Sequence, residues 1–175
     1  MLKVSFQLQG AEALIQKVEN AQARCRDLSP AFIEIQQDFF DMERERFATQ
    51  PWTPLSPDYR RWKENFAPGL PIMVLTGALR DSLTRKTDQT ISEIYTQKAV
   101  FGTRARSGEL NGRDFTAKRP YALAHQYGRG VPVRKLIELS ANRRGIWTSI
   151  IARHCFRDFK PTTGMMQAYG FQGMI

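Results

Sequence analysis

Histidine and cysteine are the residues best suited to metal ligation or nucleophilic catalysis, and this sequence has two of each: His125, His154, Cys25 and Cys155. His154 and Cys155 are adjacent, so their side chains diverge on a helix, and no CxxC or HxxxH spacing occurs. A metal site would need distant segments to converge, and we expect none. We expect His125 to be packed or hydrogen-bonded, not a ligand or a base.

Both cysteines are predicted to be reduced and buried, because the first residues, MLKVSFQLQG, alternate in polarity and do not form the apolar block of a secretion signal. We therefore expect the protein in the cytoplasm, where disulfides are rare, and a Cys25–Cys155 bridge is the less favoured alternative. No apolar run approaches the roughly 18 residues of a membrane span, so we expect no membrane partner.

Other catalytic patterns are absent from the sequence. There is no phosphate-binding P-loop and no nucleophile elbow, and Gly128-Arg129-Gly130 is typical of a helix end followed by a turn. The charged residues Asp41, Glu43, Arg44, Glu45 and Arg46 are predicted to pair along the exposed side of a helix. We expect neither an enzyme nor a cofactor.

The net charge of +9 lies in one third of the chain. Residues 1–103 hold 13 basic and 13 acidic residues, residues 104–160 hold 13 basic and 4 acidic residues, and residues 161–175 hold none. Two interpretations stay open: a solvated basic face, or a surface for a polyanion. The candidate polyanion-facing residues are Arg104, Arg106, Arg113, Lys118, Arg119, Arg129, Arg134, Arg143 and Arg144.

Hydrophobic periodicity predicts the elements that would position these residues. Residues 2–9 alternate as a strand, and residues 11–27 carry an apolar stripe of helical spacing that includes Cys25. A second helix begins with Ser29 as N-cap and Pro30 in its first turn, and it runs to about Ala48. In the segment 50–71, five prolines and several aromatic residues predict an ordered excursion with a short helix over 58–66, capped by Ser56.

The second half of the chain mixes strands and helices. Thr76 is predicted to cap a helix with the stripe Leu75, Leu79 and Leu83, where Gly77 would allow close approach of another group. Residues 87–103 predict a hairpin, 104–119 a mobile basic loop, 121–128 a helix ended by Gly128, 131–139 a strand, and 141–159 a helix with Ile146 inward.

These elements predict a single α+β domain over residues 1–160, followed by an uncharged extension, residues 161–175. Its small antiparallel or mixed sheet would contain about four strands. The sheet would pack against two long helices and a C-terminal helix.

Four segments, in this order, resemble the phage virion-morphogenesis, or tail-completion, family of Mu-like and related tailed phages: PWTPLSPDYRRWK (51–63), LTGALRDSL (75–83), YALAHQYG (121–128) and VPVRKLIELS (131–140). The matching positions fall into three motifs. They are Trp52, Pro54, Leu55 and Tyr59; Leu75, Thr76, Gly77, Leu79 and Ser82; and Tyr121, Ala122, His125, Gln126 and Gly128. We carry them over as determinants of fold and assembly.

The resemblance implies a structural protein that completes or terminates the tail and joins it to the head, found in the virion and, during assembly, in the bacterial host cytoplasm. It implies self-association, with a hexameric ring as one form, and tail-tube and head-connector proteins as partners. In such a ring the basic residues would line a channel for passing DNA, contacted without regard to sequence. The excursion and the C-terminal extension would contact neighbouring subunits.

The alternative is a sequence-independent nucleic-acid-binding module that uses the basic segment 104–160, although no helix-turn-helix, zinc-finger or RRM signature is present. Arg143 and Arg144 lie at the positive end of the last predicted helix, where cations are unfavourable. We therefore expect these two arginines to face an anion or a neighbouring carboxylate.

Overall fold

A computed structural model describes residues 10–117 and 121–159, which form an α+β arrangement of six helices and four strands. The predicted strand 2–9, the extension 161–175 and the candidate residues Lys118 and Arg119 lie outside the described residues. In chain order the elements are α1 (Ala11–Arg26), α2 (Ser29–Thr49), α3 (Pro57–Phe66), α4 (Ala78–Thr84), β1 (Thr90–Ile94), β2 (Ala99–Thr103), β3 (Ser107–Leu110), β4 (Arg113–Thr116), α5 (Tyr121–Tyr127) and α6 (Ala141–Phe156).

The central element is α2, whose apolar side chains recur every three or four residues, as predicted. Its buried residues Phe39 and Phe47 pack with Leu79, Leu83 and Leu136 in the larger core cluster. A smaller cluster joins α2 to α6 through a second set of buried apolar residues, namely Ala31, Ile35 and Ile150. The helix therefore holds α4 on one side and α6 on another, with the β1–β2 hairpin packed beside them.

The strands form two separate antiparallel hairpins, so the expected sheet of about four strands is not present among the described residues. The β1–β2 hairpin confirms the prediction for residues 87–103, with Thr90 opposite Thr103. The predicted mobile loop 104–119 is wrong because this segment contains β3 and β4, joined by a two-residue turn at Asn111-Gly112. Both turn residues have positive φ, of 53° and 70°, which an Asn-Gly pair adopts readily.

The predicted strand 131–139 is also wrong: the segment is irregular and pairs with no strand among the described residues. The Gln126 side chain replaces a strand partner. Its Oε1 accepts hydrogen bonds from the backbone N–H groups of Leu136 (2.8 Å) and Ile137 (3.1 Å), and its Nε2 donates to the Ile137 carbonyl (2.9 Å). Alternating polarity therefore indicates an extended segment here, but it does not predict pairing in a sheet.

Helix starts differ from the sequence prediction at two places. Helix α2 begins at Ser29 itself, and the Asp27 carboxylate accepts hydrogen bonds from the backbone N–H (3.0 Å) and hydroxyl (2.6 Å) of Ser29. Helix α4 begins after Gly77, which is its N-cap, and Thr76 supplies only a long contact of 3.4 Å to the N–H of Ala78. The Ser56 cap of α3 is confirmed, because its hydroxyl accepts from the N–H of Tyr59.

The close approach predicted at Gly77 is found there and, more closely still, at Gly108. Gly77 has φ of +85°, a backbone conformation that residues with a Cβ rarely adopt, and a Cβ there would lie 3.2 Å from the Arg80 guanidinium. At Gly108 of β3 a Cβ would overlap the Thr76 side chain. The β3–β4 hairpin thus docks against the start of α4 through a glycine without a side chain.

Two apolar surfaces expected in the core are exposed. On α1 only Ala21 is buried, whereas Leu14, Ile15 and Val18 are between 52% and 57% exposed. On α6, Ile146 is exposed, although Ile150 is buried as predicted. The C-terminal half of α1 is held to the end of α6 by Arg24, which donates from Nε to the Cys155 carbonyl (3.2 Å) and forms a 2.7 Å ion pair with Asp158 just beyond the helix.

Replacement of Gly108 by alanine should destabilise the fold by about 1–3 kcal/mol, because the new methyl group would clash with the Thr76 side chain. The matched control is Gly145→Ala in α6, where nothing lies within 4 Å of the added atom and alanine favours the helix. That control should leave the protein equally stable or more stable. Urea unfolding followed by circular dichroism measures both, and equal stability of the two variants would contradict the close approach.

Candidate functional site

The motif residues near Trp52 and those of the 131–140 segment meet through side chains that bond to backbone groups. The buried indole of Trp52 donates a 2.8 Å hydrogen bond from Nε1 to the Lys135 carbonyl. Arg134, only 4% exposed, donates from Nε to the Thr53 carbonyl (2.9 Å) and from Nη2 to the Pro54 carbonyl (3.1 Å). The excursion 50–71 is therefore fastened to the segment before α6.

Helix α5 joins the same assembly from the other side of that segment. The His125 carbonyl accepts a 2.8 Å hydrogen bond from the backbone N–H of Arg134, next to the Gln126 contacts described above. Burial, assisted by the positive charge of Arg134, holds the pKa of His125 below its usual value. The His125 ring is half-buried, and its Nδ1 has no hydrogen-bond partner among the described residues.

The second motif, which we call the LTG motif, connects α5 to the hairpin β1–β2; its residues are Leu75, Thr76, Gly77, Leu79 and Ser82. The Tyr121 hydroxyl hydrogen-bonds with the Leu79 backbone and the Thr76 side chain, and burial raises its pKa. The fully buried Ser82 hydroxyl lies 2.6 Å from the Thr103 hydroxyl and donates to the Leu79 carbonyl. The hydroxyl groups of Ser82 and Thr103 therefore tie α4 to the β1–β2 hairpin.

We call this assembly the motif hub: the side chains of Trp52, Thr76, Ser82, Tyr121, Gln126 and Arg134 with the backbone groups they bind. Leu55 is half-buried nearby. Two clefts are found in the described part of the chain: one of about 460 Å³ between α2 and α4, and one of about 390 Å³ beside α3, which Leu55 helps to line.

The candidate polyanion-facing arginines in the described part of the chain have three different environments. The prediction is wrong for Arg134, which is buried in the hub. Arg143 donates to the Asp38 carboxylate at 2.6 Å and so has the neighbouring carboxylate that was one of its two expected partners. The remaining candidates in the described part of the chain are exposed: Arg104, Arg106, Arg113, Arg129 and Arg144.

The exposed arginines have different surroundings. Arg104 lies 3.7 Å from the Glu93 carboxylate, and the fully buried Ala105 between Arg104 and Arg106 turns both toward solvent. Arg113 lies over the Phe66 ring at 5.6 Å, and Arg129 lies over the Tyr127 ring at 5.7 Å.

Glu43 was expected on the exposed side of α2 and is instead fully buried, with 0% exposure. Its carboxylate oxygens have no hydrogen-bond partner among the described residues, and Arg46 Nε lies 3.7 Å away. Burial raises the pKa of Glu43 to about 8, against the opposing charge of Arg46. Its spacing of four residues from both Phe39 and Phe47 was the sequence signal for the core face.

The two cysteines are neighbouring free thiols: Cys155 is buried, as predicted, whereas Cys25 is only partly buried. Burial, with Cys25 as neighbour, raises the pKa of Cys155 to about 11. Lys63 of α3, which the sequence analysis did not single out, is buried and donates from Nζ to the Pro71 carbonyl. Its buried ammonium group has a lowered pKa.

Comparison with protein families, with characterised proteins and with solved structures gave no match to this chain. Across residues 10–117 and 121–159, no set of three or more His, Cys, Asp or Glu side chains is placed to hold a metal ion. No helix in the same ranges has the length and apolar character that crossing a membrane requires.

Replacement of Arg134 by methionine should lower the free energy of unfolding by about 2–4 kcal/mol, because the Thr53 and Pro54 carbonyls would lose their buried donors. Arg134→Lys should give an intermediate loss, since one ammonium group cannot reproduce the fork of the guanidinium. Arg144→Met, at an exposed position, serves as the control and should change stability by about 0.5 kcal/mol or less. Urea unfolding distinguishes the three, and an Arg134→Met variant as stable as the control would show that the hub does not depend on this residue.

The stability of the protein should fall as pH rises from about 5 to about 8 because of Glu43. In this range the unfolded chain releases the Glu43 proton, whereas the folded protein keeps the carboxyl group neutral. The free energy of unfolding therefore falls by up to about 1.4 kcal/mol per pH unit. Glu43→Gln should remove this part of the slope. Unfolding free energies of both proteins across this range test the prediction, and parallel curves would contradict it.

Proposed function

We propose that this protein is a structural phage assembly protein that completes or terminates the tail and joins it to the head, as a ring around the DNA channel. The observation that carries the proposal is the motif hub. Three segments that resemble the virion-morphogenesis family, far apart in the sequence, contact one another through Trp52, Gln126 and Arg134.

A structural role also fits the way the polar side chains are used. In the hub, the side chains of Trp52, Gln126 and Arg134 bond to backbone carbonyls and amides. Side chains used in this way stabilise a shape, which suits a structural role. The protein's partners would be further copies of itself, tail-tube proteins and head-connector proteins, in the virion and in the host cytoplasm before release.

Passing DNA would contact the exposed arginines around the β3–β4 hairpin. Arg104 and Arg106 precede β3, and Arg113 begins β4, so the three lie on or beside one hairpin. Attraction of guanidinium groups to phosphate is independent of base sequence, which suits a channel through which a whole genome moves.

The second candidate is a free nucleic-acid-binding module that uses the segment 104–160. The observation that favours it is the placement of Arg113 and Arg129 over aromatic rings, since basic and aromatic side chains together bind single strands. Such a module would bind DNA tightly as an isolated protein, with an affinity that falls steeply with salt. An assembly protein would bind isolated DNA weakly and act only when placed around it.

Charge reversal of Arg104, Arg106 and Arg113 to glutamate should leave folding intact and lower the yield of infectious particles, because the channel wall would repel phosphate. A matched triple reversal of Arg26, Lys86 and Lys98, exposed residues of the half without net charge, should leave the yield unchanged. Equal yields of infectious particles from the two triple variants would contradict the proposed DNA channel. DNA binding across a salt series, measured with the same proteins, tests the alternative: tight binding by the wild type that the first reversal abolishes would favour the module.

A further inference from the structure

Two cysteines that are far apart in the sequence are neighbours in the fold. Cys25 lies in the last turn of α1, and Cys155 lies near the end of α6. Among the described elements α1 packs mainly against α6, and its one buried residue, Ala21, lies one helical turn before Cys25 on the same side of the helix. The side of α1 that carries Cys25 therefore faces α6.

Polar bonds hold the two helices together on both sides of Cys25. Before it, Arg24 donates a 3.2 Å hydrogen bond from Nε to the backbone carbonyl of Cys155 itself. After it, the Asp27 carbonyl lies 2.9 Å from Nε2 of His154, the residue that precedes Cys155. The backbone around each cysteine is thus bonded to the neighbourhood of the other, and the two thiols are brought side by side.

A pair of thiols without further ligands is suited to disulfide chemistry. In the described ranges no set of three or more His, Cys, Asp or Glu side chains is placed to bind a metal ion, so a metal site does not account for the pair. Cys155 is only 4% exposed, whereas Cys25 is partly buried. A molecule in solution can therefore reach Cys25, while Cys155 can react only with its neighbour.

Helix α1 has few other attachments, which gives a covalent bond at this point a clear effect. Its apolar residues Leu14, Ile15 and Val18 are more than half exposed, and Ala21 is its only buried residue. A helix with so little buried surface can adjust its position until the two sulfurs are about 2 Å apart, the length of a disulfide bond. The bond would then hold α1 against α6 without any further burial.

We propose that Cys25 and Cys155 form an intramolecular disulfide when the protein meets a low-molecular-weight disulfide such as oxidised glutathione, and that this bond holds α1 against α6. The bridge itself is independent of the proposed function. Its timing rests on that function: an assembly protein is made in the reducing cytoplasm of the host and leaves it in the virion, so the bridge closes after release.

The reaction consists of two thiol–disulfide exchanges. The Cys25 thiol loses its proton, and its sulfur attacks one sulfur of glutathione disulfide, which breaks that S–S bond and releases one glutathione thiolate. The Cys155 thiol then loses its proton, and its sulfur attacks the Cys25 sulfur of the mixed disulfide and releases the second glutathione thiolate. The two released thiolates take up the two protons, so the protein gives up two electrons and two protons and the small disulfide becomes two thiols.

The order of the two exchanges follows from the surroundings of the thiols. Cys25 reacts first because it is the accessible thiol. Burial raises the pKa of Cys155 to about 11, so its thiolate is scarce and does not compete for the small disulfide in solution. Its position beside Cys25 makes it the resolving thiol, since the second exchange takes place within one molecule.

Intact-mass spectrometry of the full chain tests the inference. The reduced protein, incubated with oxidised glutathione under native conditions, should lose the mass of two hydrogen atoms and retain no glutathione. Proteolysis without reductant should then give one linked pair of peptides, which contain Cys25 and Cys155. Cys155→Ser should keep one glutathione on Cys25, because the resolving thiol is absent. Cys25→Ser should stay unmodified, because its remaining thiol is buried.

Thermal unfolding of the same proteins shows whether the bridge fits the fold. Oxidation should raise the Tm of the wild type by roughly 5–15 °C, because the bond encloses residues 26–154 and restricts the unfolded chain. Amide hydrogen exchange in the last turn of α1 should slow as well. Dithiothreitol should reverse both effects. The double variant Cys25→Ser/Cys155→Ser, treated in the same way, is the control and should show neither effect.

Three results would overturn the bridge: a wild type that keeps one glutathione on Cys25, one that forms a covalent dimer instead, or one whose Tm does not rise on oxidation. Alkylation under denaturing conditions tests the timing, and both thiols should be free in infected cells and blocked in released particles. Free thiols in released particles would overturn the timing alone. Absence of the chain from the particles would count against the proposed function and would not affect the bridge.

Discussion

The buried guanidinium of Arg134 is the constraint on which much of this fold depends. It has no carboxylate partner among the described residues, and its bonds go to the Thr53 and Pro54 carbonyls. A buried charge is tolerated only where its donors are satisfied, so the proline-rich excursion must present those carbonyls at the correct place. The five prolines of that segment restrict its conformations, which lowers the entropy lost when the carbonyls are fixed.

Side chains replace backbone pairing in several parts of the molecule. Gln126 provides the partner that residues 136 and 137 would otherwise find in a sheet, and Trp52 binds the carbonyl of residue 135. The chain thus connects α5 to α6 by an irregular segment whose polar groups are still satisfied. The β1–β2 hairpin is likewise attached to α4 through the hydroxyl groups of Ser82 and Thr90.

Long periodic segments were predictable from the sequence, since α1, α2, α3 and α6 follow from apolar spacing and from caps such as Ser56. The β3–β4 hairpin was missed because its glycines and charges resemble a loop, although Asn111-Gly112 was a local turn signal. The prediction of a strand at 131–139 was wrong for a different reason. The segment alternates in polarity, but its backbone groups bond to the side chain of one glutamine, Gln126, and not to a neighbouring strand. The burial of Arg134 depends on contacts between distant segments, which the local sequence does not reveal, whereas the spacing of Glu43 from Phe39 and Phe47 did indicate the core face but charged residues are seldom buried.

The turn at Asn111 has a chemical consequence for the lifetime of the protein. An asparagine followed by glycine in an exposed turn is the sequence most prone to lose its side-chain amide by cyclisation and hydrolysis. The product carries a carboxylate, which only accepts hydrogen bonds, where the amide had donated one to the Phe66 carbonyl. Ageing would therefore remove this hydrogen bond between the hairpin and α3, while the contact of Phe66 with Phe115 and the helical core stayed intact. Old and new molecules would differ at the place where helix and hairpin meet.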